Sequence, residues 1–322
     1  TFQAEKINQH IVKWLLDYAT NAKVKGFVVG ISGGIDSALT SSLCAQTGLP
    51  TLCVEMPIHQ AESHVNRANE HINQLKKRFP NVFNERTDLT PIFESFRSQV
   101  PSSENEAVLH LTLANTRARL RMTTLYYFAG LHSFLVAGTG NKVEDFGVGF
   151  YTKYGDGGVD ISPIADLVKS EVRLLATYLQ VPESILKAKP TDGLFGDDRS
   201  DEDQIGANYD ELEWVMAQIE NGKTIEDFSG KDSPDSTYTN NYLSYASGNS
   251  GQKTPFKAGR RNIKTYSVIP HDASIEGNGT NIQSGFGTSP KIKRISGTGN
   301  GGRFVNLSKE SINMILTSPN HK

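Results

Sequence analysis

The sequence predicts an α/β fold, a doubly wound parallel sheet with flanking helices, and three observations carry that reading. Segments 26–31, 51–56 and 133–138 are short strand candidates, the first of them apolar throughout, as strands buried on both faces are. Stretches of helical periodicity separate them, the alternation that builds parallel sheets. The first strand also runs directly into a glycine pair that opens a helix.

Taken in order, residues 2–19 have helical periodicity. Gly26-Phe27-Val28-Val29-Gly30-Ile31 is the first strand, and 36–46 is the helix after it. Segment 51–56 is a second strand, followed by a polar helix over 61–79. A long helix over 106–130 leads to the third strand, and helices over 164–179 and 208–220 follow. From Gly230 onward the texture changes. Twelve of the 29 glycines lie there among Ser, Thr and Asn, and periodicity is absent until 306–316. We therefore divide the chain into an α/β domain, 1–230, and a Gly/Ser/Asn-rich extension, 231–322, partly disordered or loosely packed.

Composition excludes several classes. No apolar run approaches the roughly 20 residues of a membrane helix, and the first residues lack a signal-peptide pattern. The two cysteines, Cys44 and Cys53, lie in apolar stretches and read as buried reduced thiols, which points to the cytoplasm. The net charge of −2 hides an asymmetry. After Gly230 there are 12 Lys/Arg against 5 Asp/Glu, so the tail carries +7 and the first 230 residues −9. An acidic core argues against nucleic-acid binding.

The loop Ser32-Gly33-Gly34-Ile35-Asp36-Ser37 is the strongest single signal. Paired glycines let the backbone approach an anion closely, and the helix N-terminus adds about half a positive charge. Ser32 and Ser37 add hydroxyl donors. Asp36 would repel phosphate unless a cation intervenes, which implies Mg²⁺. Neither a P-loop kinase motif nor a dinucleotide-type glycine fingerprint is present. The loop resembles the signature of the N-type ATP pyrophosphatases, which hold pyrophosphate while a substrate oxygen attacks the α-phosphate of ATP. That likeness implies ATP binding by Gly30, Ile31, Ser32, Gly33, Gly34, Ile35, Asp36 and Ser37, on a Rossmann-like, adenine nucleotide alpha hydrolase-like fold.

Further stretches narrow the resemblance. Gly138-Thr139-Gly140-Asn141-Lys142-Val143-Glu144 follows a strand, and the run from Gly149 through Phe150-Tyr151-Thr152-Lys153-Tyr154-Gly155-Asp156-Gly157-Gly158 to Pro163 comes soon after. With Asn115-Thr116-Arg117-Ala118-Arg119-Leu120-Arg121-Met122 and Lys189-Pro190-Thr191-Asp192, these are similar to ammonia-dependent NAD synthetase over about residues 26–220. The resemblance implies a ligase that makes NAD from deamido-NAD, ATP and ammonia through an adenylated nicotinate, releasing AMP and pyrophosphate. It also implies a homodimer whose dinucleotide site spans both copies. Glutamine-dependent members carry an amidase domain ahead of the first strand; only 25 residues precede it here, so free ammonia is the expected nitrogen source.

Roles follow by position. Glu144 lies on a strand-end loop like that of Asp36, and both loops meet at the carboxyl edge of an open sheet. The two carboxylates would share Mg²⁺, and Thr139 would contact ATP. Lys153, Asp156 and Asp160 sit among three glycines in a loop able to close over substrate. The resemblance gives Lys153 and Asp160 to deamido-NAD and lets Asp156 take a proton from ammonium. Asp166 reads as an N-cap, which puts Lys169 at N3, where a cation opposes the helix dipole and a bound anion would explain it. The resemblance assigns Lys169 to ATP phosphate and Thr191 to ATP. Among the helix arginines it selects Arg119 for deamido-NAD, leaving Arg117 and Arg121 as ion-pairing partners. Glu202 is a candidate for a ribose hydroxyl. His321 and Lys322 match the family's closing His-Lys pair, although the Pro-rich segment that normally follows is missing. The alternatives are a GMP-synthetase-like or tRNA-modifying ligase and a non-catalytic nucleotide sensor.

Overall fold

The structure, a computed structural model, describes residues 2–189, 202, 205 and 207–221. Thr191, His321, Lys322 and the extension 231–322 lie outside the described residues.

Four parallel strands form one sheet: β1 (Gly26–Gly30), β2 (Thr51–Glu55), β3 (Val82–Arg86) and β4 (Phe134–Val136), in the order β3-β2-β1-β4. Val28 pairs with Leu52 on one side and Val136 on the other. The helices are α1 (Ala4–Ala22), α2 (Ile35–Gln46), α3 (Glu62–Arg78), α4 (Thr90–Gln99), α5 (Glu106–His132), α6 (Lys169–Tyr178), α7 (Glu183–Leu186) and α8 (Tyr209–Glu220). A π-helix, Lys142–Val148, follows β4.

Strand alternation divides the core. Phe27 and Val29 of β1 pack into one apolar cluster with α1, α2 and α6, while Val28 faces a second cluster with α4 and α5. Both faces of the sheet are covered, as a doubly wound parallel sheet requires. The chain steps from β1 outward to β3, then returns to place β4 on the other side of β1. The loops after β1 and β4 therefore diverge from neighbouring strand ends and leave a crevice between them. Cys44 and Cys53 are free and buried, and burial pushes both thiols up, Cys53 to about 12.

Three elements depart from the sequence reading. β3 is an edge strand reading Val-Phe-Asn-Glu-Arg, with only Val82 buried, so its composition carries no strand signal. Its pairing with β2 creates it. α4 buries only Phe93 of its ten residues and was equally silent. Finally, α6 begins at Lys169, and its N-cap is Val168, not Asp166. Ile164, Ala165 and Leu167 are buried in the turns before it, so their apolar character reflects packing and not helical periodicity. Lys169 is thus at N1. Glu171 holds N3, and its carboxylate accepts from the Val168 N–H at 3.1 Å.

Candidate active site

β1 delivers the phosphate loop to the carboxyl edge of the sheet. Gly33 has φ +82°, and a Cβ there would lie 2.4 Å from the His64 carbonyl oxygen. Only glycine meets both conditions. The Ser37 hydroxyl donates to the Gly34 carbonyl at 3.0 Å and lies 3.1 Å from the Ser32 hydroxyl, which accepts from the Gly34 N–H. Both serines thus shape the loop itself. Gly34 caps α2, and Asp36 occupies its first turn.

The loop after β4 supplies the opposing wall. Asn141 caps the π-helix by accepting from the Val143 and Glu144 N–H groups, and its amide donates to Asp36 Oδ1 at 3.1 Å. Between the walls stands Lys169. Its Nζ is 2.7 Å from Asp36 Oδ2 and 2.9 Å from Glu144 Oε1, with the side chain only 2% exposed. The Tyr209 hydroxyl, 2.5 Å away, donates to the same Glu144 oxygen, and its ring lies 4.9 Å from the ammonium. Burial raises the Asp36 carboxyl above its usual range; Lys169 opposes this and Glu144 adds to it. Burial pushes Glu144 the same way, but Lys169 and the Tyr209 hydroxyl outweigh it and hold that carboxyl low. A cation at the start of a helix opposes the dipole, and here two carboxylates of the chain itself offset it.

Two more carboxylates line the same cavity, which holds about 250 Å³. Asp145 packs against Gly140, where a Cβ would fall 2.0 Å from Asp145 Oδ2. Burial lifts the Asp145 carboxyl well above the ordinary range, and Asp156, Glu144 and Asp36 add to the shift. Asp156 Oδ1 accepts from the Thr152 N–H at 2.9 Å and so closes the turn that carries it. Thr139 lines the cavity beside Gly138 and Gly140.

Of the residues expected on deamido-NAD, His321 and Lys322 lie outside the described residues. Arg119, Lys153 and Asp160 are not among those lining this cavity. Arg119 Nε donates to the Lys153 carbonyl at 3.2 Å, and the Lys153 ammonium lies 4.7 Å from the ring of Tyr154, half of whose surface is exposed. Asp160 is buried. Its carboxylate accepts from the Tyr126 hydroxyl at 3.0 Å and the Val136 N–H at 2.8 Å, and burial together with Asp160 pushes the Tyr126 hydroxyl far up. Glu202 accepts from the Tyr209 N–H and so steadies the start of α8. Arg117 lies 4.5 Å over the Phe93 ring, and Arg121, which does line the cavity, donates to the Met56 carbonyl and the Gln60 amide oxygen.

Sequence reasoning missed Tyr209, Asp145 and Arg67. Tyr209 opens a helix that was legible, but nothing in the helix indicates a reach to Glu144. Asp145 is adjacent to Glu144, and α-helical spacing turns neighbours about 100° apart; here the π-helix carries both into the cavity. Such helices are rare and recur at functional sites.

A family model described as NAD synthase matches residues 7–253. The chain belongs to the NAD synthase family. It is 37% identical over 219 residues to the NH(3)-dependent NAD(+) synthetase of Mesoplasma florum, covering 67% of this chain and 86% of that one. With the enzyme of the same name from Methanosarcina mazei it shares 39% over 221 residues, 68% and 83% of the two chains. Among solved structures it resembles an NMN synthetase from Francisella tularensis, with TM-score 0.62 and 33% identity over 75% of this chain and 93% of the other. The NH3-dependent NAD synthetase of Campylobacter jejuni also superposes with TM-score 0.62, at 25% identity over 80% and 97%.

Proposed function

We propose that this chain joins ammonia to the nicotinate carboxyl of deamido-NAD at the expense of ATP, forming NAD, AMP and pyrophosphate. The observation that carries the reading is the convergence of Asp36, Glu144 and Lys169 on one point beside the phosphate loop. Curated relatives of the same activity support it. The carboxylate of the substrate attacks the α-phosphorus of ATP and the bond to pyrophosphate breaks. Ammonia then adds to the acyl carbon of the mixed anhydride, AMP leaves, and one proton is lost from nitrogen.

The loop and Lys169 hold the phosphates in line and stabilise charge on the departing pyrophosphate. Asp156, on the cavity wall, accepts the proton from ammonium or from the attacking amine. Two carboxylates that already surround one cation fit Mg²⁺, whose remaining positions are commonly taken by phosphate oxygens and water. Among the described residues no cluster of three or more His, Cys, Asp or Glu side chains is arranged for a metal, so substrate oxygens would complete the shell. Bound there between Asp36 and Glu144, Mg²⁺ would neutralise the triphosphate as an electrophilic counter-charge. ATP moves in as the ammonium–carboxylate contacts loosen, freeing Lys169 for phosphate.

A homodimer fits the outer surface. α5 runs 27 residues yet buries only Leu113, Ala114, Ala118 and Ala129, and it leaves Val108, Tyr127 and Leu131 more than half exposed. Ile92 and Phe96 of α4 extend the apolar area. No described helix is long and apolar enough to cross a membrane, and the reduced cysteines accord with the cytoplasm.

Purified protein given ATP, Mg²⁺, ammonium and deamido-NAD should form NAD; activity with XMP alone would sink the assignment. One observation favours a second product. A solved NMN synthetase is 33% identical, close to the 37% and 39% of the NAD synthetases, so NMN formation is measured alongside.

A further inference from the structure

The side of the cavity formed by α3 carries a further cation, Arg67. α3 lies hard against the phosphate loop, with the His64 carbonyl at the Cα of Gly33. From that helix the Arg67 Nε donates to the Gly33 carbonyl oxygen at 3.1 Å. A guanidinium has four more N–H donors on its two terminal nitrogens. Among the described residues these make no hydrogen bond or ion pair. The group is partly buried, and burial lowers its basicity with no carboxylate to offset it. It lines the same cavity as Ser32, Gly34 and Ser37. A guanidinium at the edge of a cavity, with no protein carboxylate beside it, is placed to take an anionic ligand. The adjacent loop already offers anion-binding geometry, and a guanidinium fork matches paired phosphate oxygens.

We propose that Arg67 binds the β–γ end of ATP, and therefore the leaving pyrophosphate, through its terminal nitrogens while its Nε holds the Gly33 carbonyl. The assignment rests on the ATP reading of the loop. It adds a second cation, beside Lys169, to the cavity that would hold pyrophosphate. It also links phosphate binding to loop geometry, because one side chain touches both.

The test is calorimetric titration of magnesium pyrophosphate into wild-type protein, Arg67→Gln and Arg67→Lys, with steady-state kinetics beside it. Loss of a charged, bidentate contact should weaken pyrophosphate binding roughly tenfold or more in Arg67→Gln and raise KM for ATP similarly. KM for ammonium should stay within twofold. Arg67→Lys keeps the charge but not the fork and should fall between. A merely structural role would lower the melting temperature and leave pyrophosphate affinity within twofold; that result in Arg67→Gln overturns the proposal. If wild-type protein binds no pyrophosphate, the ATP reading fails with it. If wild type binds and both variants match it, the Arg67 assignment alone fails.

Discussion

Lys169 Nζ lies 2.7 Å from Asp36 Oδ2, joining the first turns of α2 and α6 across 133 residues of chain. With Glu144 at 2.9 Å it forms a buried charge group that is satisfied before any substrate arrives. Removing one member of a buried pair leaves an uncompensated charge, at about 3–5 kcal/mol. Lys169→Met should therefore lower the melting temperature by roughly 10 °C and cut pyrophosphate release by about 10²-fold or more. Adding Asp36→Asn to Lys169→Met should restore part of the stability and none of the activity. Thermal melts and a pyrophosphate assay check both.

The same contacts bear on metal removal. Because Lys169 already bridges Asp36 and Glu144, the fold does not need a divalent ion to hold them together. Chelation should abolish AMP formation yet shift the melting temperature by under about 2 °C. A large drop on chelation would show that a metal, and not Lys169, holds the two walls.

His71 makes a separate prediction, about stability. Its Nε2 lies 2.8 Å from the Ser41 hydroxyl, which is also within hydrogen-bond reach of the Ser37 carbonyl. Nδ1 has no partner among the described residues. Burial, with Arg78 nearby, lowers its pKa to about 4 from 6.5. The fold favours the neutral ring, so its stability is whole above pH 6.5 and declines as pH falls toward 4. The loss by pH 4 is about 3 kcal/mol. Denaturant titration at pH 7 and pH 4 should show His71→Gln losing about that much less than wild type.

Gly140 and Asp145 supply a steric test. A Cβ at Gly140 would meet the Asp145 carboxyl at 2.0 Å, so Gly140→Ala should cost about 1–3 kcal/mol. In an Asp145→Ala background that cost should fall below about 0.5 kcal/mol, a coupling that a double-mutant cycle reads directly.

Legibility tracked how local each feature was. The apolar strands β1, β2 and β4 and the phosphate loop were readable because neighbours in sequence act together there. β3 was not, since three of its five residues are polar and register against β2 defines it. Asp36 and Glu144 could be placed at the same sheet edge from topology alone. The arrival of Lys169 between them could not, because the chain enters α6 through a buried non-helical turn that apolar periodicity mimics. Arg67 sits in a polar helix where many residues look alike, and only its distance to Gly33 distinguishes it.

The central claim is that this site adenylates a nicotinate carboxyl. It is tested most directly by following α-labelled ATP in the presence of Mg²⁺, with and without deamido-NAD and ammonium. AMP and NAD should form in equal amounts only when both are present, and neither from Asp36→Asn. AMP formation independent of deamido-NAD, or transfer of the γ-phosphate to leave ADP, would contradict it.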